Sequence, residues 1–166
     1  AEREFYEYTI GTSSLPESTV LINEINYHSA VDFDPGDWVE LFNPTSESIN
    51  IGNWFFKDED NDHIFSIDEN MILAPDQYVV LCNDTTSFTM LFPDVDNVIG
   101  NLNFGLSGGG ELLRLFDSNG SLADTVLYDD TAPWPVEPDG NGPTLELINS
   151  SSDNALAANW AASNGY

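Results

Sequence analysis

The strongest constraint on this chain is its punctuation. Short runs of β-branched and aromatic residues alternate with clusters of Gly, Pro, Asn and Asp, the pattern of closely spaced strands. The runs predict strands over residues 20–27, 38–43, 54–57, 63–67, 77–81, 111–116, 122–128 and 144–148. Alternation is clearest where Trp38, Glu40 and Phe42 interleave with Val39 and Leu41, which sends the two sets to opposite faces of a sheet. The turns agree. Asp117-Ser118-Asn119-Gly120 reads as a hairpin turn, and Pro44 closes the strand that starts at Trp38. Residues 85–92 and 154–160 predict helical turns, too short for independent helices. The fold class is therefore all-β, with short helical turns at most.

Residues 1–19 differ from the rest. Residues 4–10 fit an extra edge strand and residues 11–18 a linker, which puts the domain over residues 20–166 with its sandwich ending near Trp160. The chain begins at Ala1 without a charged-then-apolar leader, as expected of a mature product or an excised fragment.

Charge then narrows the partners. Asp and Glu total 29 against three Lys and Arg, a formal −26. Such a surface repels nucleic-acid phosphates and anionic membranes. It also repels itself unless salt or bound cations screen it, which suits a saline or calcium-rich surrounding. Hydrophobic residues make up 41% of the chain, enough for a core. No run is long and apolar enough to insert in a membrane. Cys82 is the only cysteine, so there is no internal disulfide. With no basic neighbour to lower its pKa, it reads as a small buried hydrophobe.

The strands carry a recognisable string. Val20-Leu21-Ile22-Asn23-Glu24-Ile25-Asn26 leads to Asp37-Trp38-Val39-Glu40-Leu41-Phe42-Asn43-Pro44 and Gly52-Asn53-Trp54. Leu106-Ser107-Gly108-Gly109-Gly110-Glu111, Trp134-Pro135, Asp139-Gly140-Asn141-Gly142-Pro143-Thr144-Leu145-Glu146 and Asn159-Trp160 follow. Together they resemble the lamin-tail domain in its bacterial extracellular form, similar to those that follow spore-coat-protein-H-like kinase domains. The resemblance implies an immunoglobulin-like β-sandwich and a non-catalytic accessory role in a secreted or cell-surface protein. It also marks Glu24, Glu40 and Asn43 as motif positions. Two features depart from the nuclear relatives: the chain has no coiled-coil rod, and its surface is too acidic for chromatin contacts.

Several residue groups invite chemistry. Asp58, Asp60 and Asp62 alternate, and Glu69 lies where a calcium loop would place its last carboxylate, but His63 takes the position such a loop gives to glycine. A calcium site outside that motif remains open there, against the simpler reading of a solvated turn. Asp32, Asp34 and Asp37 form a second acidic group around the Asp34-Pro35-Gly36 turn, with Glu40 beyond them. Glu24 falls on the face of Val20 and Ile22 by simple alternation, and carboxylates on half-buried faces need partners. Hydrogen bonding to loop backbone is the plainer role for Glu24, Glu40 and Asn43.

Trp134, between two prolines, admits a carbohydrate-stacking reading, whereas Trp38 and Trp54 read as core. Gly105-Leu106-Ser107-Gly108-Gly109 matches the hydrolase nucleophile pattern. A strand-like run follows it, and neither His28 nor His63 is near, so a Ser107 hydrolase is rejected. Asn83, Asn119 and Asn149 head glycosylation triplets, relevant only in a host that modifies them. The expected function is a non-catalytic interaction or spacer module with a protein or cell-surface glycan partner. Calcium and carbohydrate binding are the alternatives.

Overall fold

The computed structural model describes residues 20–165, so the expectation for residues 1–19 lies outside the described residues. The strands are β1 (Leu21–Asn26), β2 (Trp38–Phe42), β3 (Ile49–Asn50), β4 (Phe55–Lys57), β5 (Phe65–Ser66), β6 (Ile72–Leu73) and β7 (Tyr78–Cys82). A short helix α1 (Thr85–Leu91) follows, then β8 (Val98–Gly100), β9 (Glu111–Phe116), β10 (Leu122–Tyr128), β11 (Leu145–Leu147) and β12 (Trp160–Ala162).

A six-stranded sheet, in the order β12-β11-β1-β2-β7-β8, packs on a four-stranded sheet, β10-β9-β4-β5, while β3 and β6 pair separately. One core lies between the layers. Ile22, Ile25, Val39, Leu41, Val79, Leu81 and Leu145 meet Phe56, Leu113, Leu115 and Val126 there. Burying such side chains is the main source of stability, at ~25 cal/mol per Å² of apolar surface. Val39 and Leu41 face inward, as the alternation predicts, and Trp38, Glu40 and Phe42 face out.

The outward Trp38 is nevertheless buried because the chain doubles back over it. β7 and β8 are parallel neighbours, a pairing that needs a crossover rather than a tight turn, and α1 is that crossover. Asp84 caps it by accepting from the backbone N–H groups of Thr86 and Ser87. Its Phe88 packs edge-on to Trp38 at 5.8 Å, forming a second small core with Val80 and Cys82. The Cys82 thiol is buried as expected, and burial pushes its pKa up to about 11.

One expectation is overturned. The β1–β2 register shifts between Ile22 and Glu24, so Ile22 opposes Leu41 while Glu24 opposes Glu40. Asn23 is the extra residue of this bulge. Glu24 therefore points to the outer face, opposite to Ile22, instead of sharing its face. A second irregularity in β10, between Leu122 and Asp124, brings the Asp124 carboxylate against the first. It accepts from the Ile22 N–H at 2.6 Å and from Asn154 Nδ2 at 2.8 Å.

Candidate functional site

Within the acidic groups singled out by spacing, Asp58, Asp60, Asp34 and Asp37 accept hydrogen bonds from backbone N–H groups. Asp58 Oδ1 accepts from the Asp60 N–H and Asp60 Oδ1 from the Asp62 N–H, each at 2.8 Å. The other Asp58 oxygen meets His63 Nδ1 at 2.6 Å. Both cations of this neighbourhood take backbone carbonyls: Arg114 takes that of Asp58 and Lys57 that of Asn61. In the second group, Asp34 accepts from the Gly36 N–H at 2.9 Å and Asp37 from the Leu106 N–H at 2.7 Å, and Asp32 stays exposed. Burial raises the pKa of Asp37, and the Leu106 hydrogen bond opposes that rise. Among the described residues, no three His, Cys, Asp or Glu side chains come together in a way that could hold a metal ion.

Ser107 lies on the loop that leads into β9, not on a strand-to-helix turn. Its N–H donates to Glu111 at 2.6 Å and its carbonyl accepts from the Tyr128 hydroxyl at 2.7 Å. The histidines pair elsewhere, His28 with Asp139 and His63 with Asp58. Gly110, at φ +90°, is the positive-φ entry to β9, and a Cβ there would sit 2.5 Å from the Tyr128 carbonyl oxygen. Trp134 is only 9% exposed and packs against Trp160 in the main core, ring centres 6.0 Å apart. At that exposure it presents little indole surface for stacking on a sugar. Asn43 takes the loop role expected of it, donating to the carbonyls of Glu47, Leu73 and Ala74.

The two motif glutamates behave differently. β11 pairs with β1 so that Glu146 opposes Glu24, and Glu24 in turn opposes Glu40. Three carboxylates thus stand in one cross-strand row on the outer face, and Val80 continues the row. Like charges directly opposite destabilise a sheet, so this row is costly. Glu40 accepts from Asn23 Nδ2 at 2.9 Å, and Glu24 accepts from the Thr144 hydroxyl. Burial, reinforced by Glu24 and Glu146 and opposed by the Asn23 bond, pushes the Glu40 pKa up to about 7. Glu24 shifts the same way, from burial first, with Thr144 opposing and Glu146 adding.

Glu24 and Glu40 of this row line a cleft of about 240 Å³, and Glu146 stands exposed outside its lining. Trp38, Val80, Phe88, Phe92, Val95, Ser163 and Gly165 complete its lining. Glu24 and Glu40 stand out in the sequence as half-buried motif carboxylates, whereas Glu146 and the cleft do not. The signal was present as a glutamate followed by an apolar residue in three strands: Glu24-Ile25, Glu40-Leu41 and Glu146-Leu147.

Two facing sheets, a core between them and polar groups tied into their own turns define an immunoglobulin-like β-sandwich. The model of the Lamin Tail Domain family matches residues 13–130, and the chain belongs to that family, a non-catalytic immunoglobulin-like fold with a general interaction role. Among curated proteins none matches the chain. Residues of β11 and β12, Glu146 included, lie beyond the matched segment.

Proposed function

We propose that this domain is a non-catalytic interaction or spacer module of a larger secreted or cell-surface bacterial protein, which it holds to a protein or glycan partner. The observation that carries the reading is family membership. Two further features support it. The side chains that might have done chemistry are engaged in holding loops, and a surface of −26 suits a saline exterior.

The test compares the parent protein with and without this domain. Removal should release the parent from the cell surface or matrix while leaving its intrinsic activity unchanged. The isolated domain should turn over no p-nitrophenyl ester, phosphate or glycoside. Turnover by the isolated domain, or unchanged retention after its removal, overturns the proposal.

A further inference from the structure

The cleft on the outer face of the six-stranded sheet has a chemistry that family membership does not supply. We infer that it receives a lysine or arginine side chain, with its flanking backbone, from an extended basic segment of a partner protein. This rests on the interaction-module reading and names the chemistry of the partner.

Four observations carry it. First, Glu146, Glu24 and Glu40 oppose one another in register across three neighbouring strands. No described basic side chain answers them, since Lys57 and Arg114 are bound to the loop after β4. A row that costs stability in the free domain is relieved by a cation placed over it. Second, the cleft is built rather than merely acidic. Phe88, Phe92 and Val95 add apolar lining beside the two glutamates, which fits the methylene stem of a long cationic side chain. Third, Trp38 lines the same cleft at 6% exposure, and its Nε1–H has no acceptor. A buried donor left unmatched costs ~1–3 kcal/mol. Trp38 therefore reports occupancy of the cleft, while the apolar lining beside it favours a side chain with a methylene stem over a bare ion. Fourth, Tyr78 stacks on Phe42 at 4.4 Å beside the row and is 44% exposed, so the face continues as an aromatic surface on which a neighbouring residue can lie.

The groups facing Glu40 are Glu24 from β1, Glu146 from β11 and Tyr78 from β7, with Asn23 as its hydrogen-bond donor. A cation among them favours the ionised carboxylates, so binding should be tighter at pH 8 than at pH 5.

The probe is the blocked tripeptide acetyl-Leu-Lys-Leu-amide, titrated into the domain and followed by NMR. The expected result is saturable binding that shifts the Trp38 indole resonance, assigned by its loss in Trp38→Phe. Glu24→Gln and Glu40→Gln should each weaken binding about tenfold or more. Glu137→Gln, an equal charge change at an exposed position outside the cleft, should leave it unchanged. Thermal melts show whether the variants are folded, and amides in a like-charge row should fold at least as well as the parent. The inference is overturned by equal binding of acetyl-Leu-Glu-Leu-amide or by equal weakening in Glu137→Gln. Calcium binding at these glutamates without peptide binding also overturns it. In that event the module reading stands or falls on the retention experiment alone.

Discussion

The backbone N–H of Ile22 donates to the side chain of Asp124 across the sandwich, at 2.6 Å and 102 residues apart in sequence. The contact joins the irregular point of β1 to that of β10, so one carboxylate ties the two sheets where both depart from regular pairing. Asn154 donates to the same oxygen, and Asp124 is 4% exposed. Asp124→Ala removes the acceptor for two buried donors at once. Denaturant unfolding should show a loss of ~2–4 kcal/mol. Asp124→Asn, which keeps an oxygen there, should lose less than half as much. Equal losses would mean that the joint works by shape alone.

Stability should fall as pH rises from about 4.5 through 7. Burial raises the carboxyl of Asp124 to about 6 and that of Glu40 to about 7, and raises Glu24, Asp37 and Glu111 as well. The folded state thus holds protons that the unfolded chain has released, and it loses that advantage as each group ionises. At the acid end the sign reverses. Asp84, Asp117 and Asp129, held low by hydrogen bonds from their own turns, stabilise the fold until they are protonated. Thermal melts should therefore peak at about pH 4.5, and Glu40→Gln should flatten the decline above it. A midpoint that climbs from pH 5 to 8 contradicts this account.

Calcium should act on this domain as salt does. The Asp58 and Asp60 carboxylates cap their own turn, Asp34 caps its own, and Asp37 accepts from the distant Leu106 N–H. Melts in calcium chloride and in sodium chloride of matched ionic strength should agree within error. A midpoint that follows RT ln(1 + [L]/Kd) for calcium alone would instead reveal a specific site.

Phe88 is the one residue of α1 that reaches the second small core. Phe88→Ala should cost ~3–4 kcal/mol by cavity formation and open Trp38 to water. Red-shifted tryptophan emission that is absent in the Trp38→Phe background would report that opening. Unchanged emission would mean that Phe92 covers the indole unaided.

The strands that buried apolar alternation marks were legible at once, β9 and β10 to the residue. β3 and β6 were not, because two residues give no period to detect, and β8 is visible only as the parallel partner of β7. At the C-terminal end a helical turn was expected over residues 154–160. Residues 154–155 form a turn and Ala157–Asn159 a 3-10 helix, and β12 follows because Trp160 must enter the core. The acidic loops admit two readings for a definite reason. Alternate aspartates serve equally well to cap backbone N–H groups two residues on, and that geometry uses the same spacing as a calcium loop. Glu24 was misplaced by the single extra residue at Asn23. Glu146 could not be joined to Glu24 at all, since nothing local says that residues 145–147 pair with β1.

The family match stops at residue 130, yet β11 sits between β1 and β12 in the larger sheet. A fragment trimmed to the match would leave Leu21-Ile22-Asn23-Glu24-Ile25 as a bare sheet margin, open to any other chain with backbone groups to spare. For anyone expressing or transplanting this domain, the working unit therefore extends at least to Ala162. Shorter versions should come out of solution as aggregates rather than as a smaller sandwich.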